Sequence, residues 1–294
     1  MLTCRSTREL QRFCAQGRLD RQTISLVPTM GYLHEGHLSL IREGRKKADL
    51  LVVSIYVNPL QFSPNEDLES YPSSPERDAV LCEEAGADVL FLPGHEDLYP
   101  TDYQTTVSIG TVADGLCGAS RPGHFNGVCT VVLKLFNLVQ PNVAIFGNKD
   151  YQQLQVIRTM TRDLNLDIAV IGMPIIRDPD GVALSSRNKN LSDRERTEAL
   201  CLPESLALAE KLVLRGERDS ASILNQVRAH IACRELAKID YVTIVDPNTL
   251  EILSGNIHSD ALVALAVRFG TTRLIDNRVL RLSHESTAGD NQGL

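Results

Sequence analysis

The chain reads as an α/β protein: a doubly wound parallel sheet followed by a smaller α+β unit. Two observations predict this. Up to Met173, short apolar runs rich in β-branched residues alternate with segments of helical spacing, the pattern of a parallel sheet covered on both faces. Beyond it that alternation stops, and a long stretch of helix formers leads into alternating strands and a tight turn. Pro174, Pro179 and Gly181 cluster at the change of character. The expected units are therefore residues 1–175 and 176–282, with a polar tail, 283–294, expected to be disordered.

The elements follow in order. Ile24–Thr29 (ISLVPT) reads as a strand, and Gly31 leads into a helix ending near Lys47. Leu50–Val57 (LLVVSIYV) is a strand buried on both faces, ended by Asn58-Pro59. Ser63–Pro75 carries three prolines and reads as a mobile loop, and Pro75–Gly86 suits a helix opened by proline and closed by glycine. Ala87–Leu92, Val143–Phe146 and Ile168–Gly172 are further strands, with helices at Val128–Val139 and Asp150–Leu164 between them. In the second unit, helices fill Asp193–Ala237. Asp240–Val245 and Ala261–Phe269 alternate like strands, and Gly270–Thr272 turns the chain into Arg273–Asp276, giving an antiparallel hairpin.

Composition narrows the function. The 294 residues are 43% hydrophobic and 23% charged, as in ordinary globular proteins. The longest apolar runs have strand length, far short of the roughly 20 residues a membrane helix requires, and the N-terminus carries no signal-peptide pattern. Seven cysteines without any C-x-x-C favour reduced thiols in the cytoplasm over a disulfide framework or a thiolate zinc site. A net charge of −7 excludes a general nucleic-acid binder. It does not exclude a small anionic ligand, because residues 121–190 hold eight Lys or Arg against five Asp.

Four segments carry chemistry. In Pro28–His37 (PTMGYLHEGH) a strand end, with Met30 and Gly31, opens a helix whose first turn places His34 and His37 on one face. A helix N-terminus favours phosphate, and two imidazoles there can donate to a charged transition state. Capping or surface histidines are the plainer alternative. H-E-x-x-H is absent because residue 38 is Leu, and Walker A, G-x-G and G-x-S-x-G patterns are absent too. In Phe146–Gln153 (FGNKDYQQ), Gly147 allows close backbone approach, Asn148 follows it, and Lys149 suits phosphate. Asp150 either caps the helix or accepts ribose hydroxyls, and one of Gln152 and Gln153 is placed to face a small polar substrate. Leu184–Asn188 (LSSRN) offers Ser185, Ser186 and Arg187 to phosphates. In Val57–Phe62 (VNPLQF), Asn58 and Gln61 sit at a strand's carboxyl end, with turn chemistry as the alternative.

PTMGYLHEGH, VNPLQF, FGNKDYQQL and DGVALSSRN resemble the signature blocks of the pantoate–β-alanine ligase family, within the Rossmann-like HIGH-motif nucleotidyltransferases. The similarity runs from about Thr23 through RFGTTRLIDN. The resemblance implies attack of D-pantoate on the α-phosphate of ATP·Mg²⁺, then attack of β-alanine on the pantoyl adenylate. It implies phosphate contacts from His34, His37, Lys149, Ser185, Ser186 and Arg187, with His37 as proton donor. Adenosine would be held around Met30, Gly31, Gly147, Asn148, Asp150, Ile176 and Leu184. Pantoate would be held by Gln61 and Gln153 with Asn58 beside them, and Gln61 would also meet β-alanine. The Ser63–Pro75 loop would be a lid, and the family implies a homodimer. The chain departs from the usual pattern at Asn148 (Glu), Ser73 (Arg) and Lys189-Asn190 (Arg-Tyr). The alternatives are another nucleotidylyltransferase with the same HEGH site, or a nucleotide-binding module without catalysis.

Overall fold

The structure, a computed structural model, describes residues 1–64 and 66–282, so the disorder expected of the tail falls outside the described residues. The first half alternates strands and helices: β1 (Leu2–Cys4), α1 (Thr7–Leu19), β2 (Ile24–Thr29), α2 (Glu35–Lys47), β3 (Leu50–Ile55), α3 (Pro75–Glu84) and β4 (Val89–Phe91). Short helices α4 (His95–Leu98) and α5 (Leu116–Ser120) precede α6 (His124–Val139), β5 (Val143–Gly147), α7 (Tyr151–Asp163) and β6 (Ala169–Met173). Then come α8 (Asp193–Ala199), α9 (Cys201–Leu214), α10 (Ser220–Ala232), β7 (Ala237–Val245), β8 (Ala261–Phe269) and β9 (Thr272–Leu280).

Six strands form one parallel sheet in the order β1-β4-β3-β2-β5-β6. The chain winds outward from β2 to β3 and β4, then returns to place β5 on the other side of β2. The strand order reverses between β2 and β5, where doubly wound sheets open a ligand crevice at their carboxyl ends. Alternation along the strands explains the two layers. Ile24, Leu26, Val52, Ala144 and Phe146 pack with α1, α6 and α7, whereas Val27, Leu51, Val53 and Ile145 pack with α2 and α3. The second unit has its own core, in which α9 and α10 cover the antiparallel sheet β7-β8-β9.

The sequence reading misses β1 and α1; the expected antiparallel hairpin is β8–β9, and β7 pairs antiparallel to β8 as a third strand. Helix α6 begins four residues earlier than its apolar spacing suggests, just after Gly123 turns the chain at φ 80°. Between Gln61 and Pro75 the described residues form neither helix nor strand.

Candidate active site

The turn after β2 sets the position of both histidines. Gly31 takes φ 86° and Tyr32 φ 50°, and a side chain at Gly31 would come within 2.9 Å of Ile55. Buried Asp78 on α3 accepts the N–H groups of Tyr32 and Leu33 at 2.6 and 2.8 Å. The turn is thereby pinned, and α2 opens at His34. The His34 N–H donates to His37 Nδ1 at 3.3 Å, so the proton of the neutral His37 ring is on Nε2. The two rings lie 4.0 Å apart. Burial, with help from His34 and Lys149, pushes His37 down to about 3. Burial and then Lys149 push His34 down to about 4, so both are neutral at pH 7. His34 Nδ1 is buried and has no hydrogen-bond partner among the described residues. Gly36 makes room for that ring, since a Cβ there would lie 2.9 Å from it.

The turn after β5 brings in the cation. Lys149 Nζ lies 4.0 Å from an Asp150 carboxylate oxygen, and Asp150 makes no side-chain cap to α7. The capping alternative for Asp150 is thus not realised. Asn148 turns away, with its side chain packed over Gly172 of β6. Gln152 donates to the carbonyls of Val112 and Gly115 and accepts from the Cys117 N–H, which ties it to the loop before α5 and α5 itself.

The remaining two segments close around the crevice. The Leu184 N–H donates to the Ile176 carbonyl at 3.0 Å, and Ser185 Oγ accepts from the Arg187 N–H at 3.3 Å. Arg187 pairs with Asp67, and the Tyr71 hydroxyl lies 3.4 Å from Ser186 Oγ, so the 63–74 loop touches the LSSRN segment twice. Asn58 is buried and spent: it donates to Gln61 Oε1 and the Gly127 carbonyl and accepts from the Tyr99 hydroxyl, at 3.1, 3.0 and 3.0 Å. Helix α6 comes this close only because residue 127 is glycine, where a Cβ would lie 2.6 Å from the Gln61 nitrogen.

These segments border one cavity of about 220 Å³. His34, His37, Met30, Gln61, Gly147, Lys149, Asp150, Gln153, Ile176, Leu184, Ser185, Ser186 and Arg187 all line it. Gly31, Asn58 and Asn148 do not: Gly31 and Asn58 support the wall from behind, whereas the Asn148 side chain packs over Gly172. Among the wall residues that sequence reasoning missed, two hold Gln61 in place. His124 holds the Gln61 carbonyl at 2.7 Å through Nδ1, and Arg121 bonds the same carbonyl and the Glu66 carboxylate. Burial and the neighbouring Arg121 push His124 down to about 4. A larger space of about 420 Å³ shares Lys149, Asp150, Gln153, Ser185 and Arg187 and extends toward β9. Among the described residues, no cluster of three or more His, Cys, Asp or Glu side chains is placed to hold a metal ion.

The arrangement therefore offers two neutral N–H donors, two fixed cations and two hydroxyls beside two amides, which suits a phosphorylated ligand next to a polar one. A family model described as Pantoate-beta-alanine ligase matches residues 2–279. A pantothenate synthetase of Geobacter sulfurreducens is 55% identical over 275 residues, covering 94% of this chain and 97% of that protein. One of Thermotoga petrophila is 52% identical over 272 residues, covering 92% and 97%. A pantothenate synthetase structure from Thermus thermophilus superposes with a TM-score of 0.90 at 43% identity, covering 96% of this chain and 100% of that one. A pantoate-beta-alanine ligase from Francisella tularensis, solved in complex with beta-gamma ATP and beta-alanine, gives a TM-score of 0.77 at 33% identity, covering 95% and 97%. By sequence over nearly its whole length, and by fold, the chain belongs to the pantoate–β-alanine ligase family.

Proposed function

We propose that the cavity at the β2/β5 crevice is where the chain, an ATP-dependent ligase by family, condenses D-pantoate with β-alanine through a pantoyl adenylate. The observation that carries this reading is the convergence of His34, His37, Lys149, Ser185, Ser186 and Arg187 on the cavity that Gln61 and Gln153 also line. In the first step the pantoate carboxylate attacks the α-phosphate and pyrophosphate leaves. That carboxylate is ionised at pH 7, since such groups titrate near about 4, so no general base is needed. The reaction requires alignment and charge stabilisation. His37 Nε2–H, together with His34, donates to the phosphate oxygens as negative charge shifts toward the leaving group. Lys149 and Arg187 neutralise the pyrophosphate, with Ser185 and Ser186 as donors. Gln61 and Gln153 orient pantoate. The nucleoside lies along Met30, Gly147, Asp150, Ile176 and Leu184. In the second step the amine of β-alanine attacks the acyl carbon and AMP leaves. The 63–74 loop, resting on Ser186 and Arg187, keeps water from the adenylate meanwhile.

Mg²⁺ would arrive with ATP, as the family resemblance implies. Residues 1–175 and 176–282 are read as two units, with the phosphates at their junction. A homodimer rests on the family resemblance, and light scattering at micromolar concentration tests it. Placement in the cytoplasm is supported by the seven unpaired cysteines. No helix among the described residues is long and apolar enough to cross a membrane. Pyrophosphate release with each substrate omitted in turn tests the mechanism. Release should require ATP and pantoate but not β-alanine, and release that needs β-alanine would overturn the adenylate order.

A further inference from the structure

Two adjacent residues of β9, far from the nucleotide motifs in sequence, hold both segments read above as phosphate-binding. Asn277 is buried, and its Nδ2 donates to the backbone carbonyls of Asn148 and Lys149, each at 2.9 Å. The two carbonyls belong to the 3₁₀ turn that presents Lys149. The Asn277 N–H donates to Asp276 Oδ1 at 2.8 Å. Asp276 is itself buried and takes both guanidinium nitrogens of Arg177, at 2.6 and 2.9 Å. Arg177 Nη1 also donates to the Gly181 carbonyl at 3.0 Å, and residue 177 bridges residue 183. The Ala183 carbonyl in turn accepts from Asn188 Nδ2 at 3.0 Å. One continuous set of largely buried polar contacts thus runs from the Lys149 turn, through Asn277, Asp276 and the partly exposed Arg177, to the loop bearing Ser185, Ser186 and Arg187.

We infer that Asn277, braced by Asp276, is a positioning residue for adenylation: it holds the Lys149 turn at a set distance from the Ser185–Arg187 loop, so that both engage one triphosphate. This rests on the phosphate reading of Lys149 and of that loop. The physical argument is one of chemistry and reach. A single amide nitrogen carries two N–H groups and can satisfy two successive carbonyls at once, which neither a hydroxyl nor a carboxylate can do in this position. Asp276 fixes the amide's own backbone while neutralising Arg177 in a two-point pair, buried on the carboxylate side, whose geometry tolerates little movement. The contacts go to backbone rather than to Lys149 Nζ, so the effect is on where the ammonium stands and leaves its charge unchanged. The third strand of the small sheet thereby helps to build the site of the large one.

The test is a double-mutant cycle on ATP kinetics. Asn277→Ala should lower kcat/KM for ATP in pantoate-dependent pyrophosphate release by about ten- to thirtyfold, the scale of losing buried hydrogen bonds at a charged site. Asn277→Asp, which keeps the shape and removes the donors, should lose as much, and Asn277→Gln should recover part of the loss. The second half-reaction, β-alanine with enzyme-bound pantoyl adenylate, should be unchanged within about twofold, because the pyrophosphate has left. In a Lys149→Ala background, Asn277→Ala should cost little more. Wild-type ATP kinetics in Asn277→Ala, full additivity with Lys149→Ala, or equal losses in both half-reactions would each overturn the positioning role while leaving the phosphate reading standing. Wild-type kinetics in Lys149→Ala would overturn both. The Gln variant, which retains an amide, carries the test if the Ala variant fails to fold.

Discussion

Arg187 grips Asp67 through a two-point ion pair, both N–O distances being 2.8 Å. The pair joins the loop after β6 to the segment before α3, and the Arg187 guanidinium sits 5.8 Å from the centre of the Tyr71 ring. Arg187 holds the Asp67 carboxyl below the usual carboxylate range, so the pair is charged at pH 7. A planar guanidinium offers the same fork to carboxylate and to phosphate. If Arg187 meets phosphate as proposed, Asp67 competes with ATP for it, and the same pair ties the loop to the LSSRN segment.

Removing that competition should have two opposite effects. Both partners keep about 30% of their side-chain surface exposed, so the pair belongs with modest ion pairs, on the order of 1 kcal/mol. Asp67→Asn should therefore tighten ATP binding about three- to fivefold, measured by calorimetry without pantoate. The same variant should form more AMP from ATP and pantoate alone, because the looser loop admits water to the adenylate. Unchanged ATP affinity would mean that Asp67 and the phosphates do not share Arg187.

His37 carries a sharper expectation. Its Nδ1 is occupied by the His34 N–H, which leaves Nε2–H as the free donor, the one the proposed adenylation step requires. His37→Ala should lower the adenylation rate by on the order of 10²–10³, the usual scale for losing one transition-state donor, with only a small change in ATP affinity. His37→Asn should restore part of it if the amide N–H reaches the same oxygen. A rate within twofold of wild type would remove His37 from the chemistry.

The depressed histidines also set a stability profile. His34 and His124 are pushed down to about 4 and His37 to about 3, in each case chiefly by burial. Above pH 6.5 native and unfolded rings are both neutral, and they contribute no pH dependence. Below it the unfolded chain takes up protons that the native one refuses. Each ring then costs about 1.4 kcal/mol per pH unit until its native value is reached. Urea midpoints should fall steadily from pH 6.5 to 5, before most carboxylates titrate. His124→Gln should reduce the slope by one proton, and an unaltered slope would show that His124 is not held neutral.

Local and long-range information part company along this chain. Periodicity locates β2 and β8 at their observed ends, because alternation and β-branching act within a few residues. The strand β1 is only three residues long and pairs with β4, so its own sequence says little. Helix α1 was visible in principle, since Ser6 and Glu9 form the capping box that S-x-x-E announces. In the site, the segments were legible but the facing of each side chain was not. Adjacent helix positions differ by about 100° in direction. Thus Gln153 meets the cavity while Gln152 ties down the loop before α5, and nothing in the pair of letters distinguishes them. Asn277 was beyond reach altogether, because its partners lie about 130 positions away and are backbone atoms.

Asn58 tests that distinction between lining a site and building it. Its side chain was expected to meet substrate, yet it is buried behind Gln61 with its polar atoms engaged. Asn58→Ala leaves Gln61 Oε1, the Gly127 carbonyl and the Tyr99 hydroxyl without this partner. A buried group so deprived costs about 1–3 kcal/mol, so a combined loss of roughly 2–4 kcal/mol in stability is expected once some relaxation is allowed. The functional effect should follow Gln61. The KM for pantoate should rise about tenfold or more as the amide loses its fixed direction, while ATP affinity in the absence of pantoate stays near wild type. Asn58→Asp separates support from packing: it keeps the acceptor for Tyr99 but removes the donor to Gln61. The carboxylate oxygen that replaces the amide nitrogen then faces the Gln61 and Gly127 oxygens, so this variant should be no more stable than Asn58→Ala and should recover little of the pantoate affinity. If instead Asn58→Ala raised the pantoate KM without any loss of thermal stability, Asn58 would be touching substrate directly.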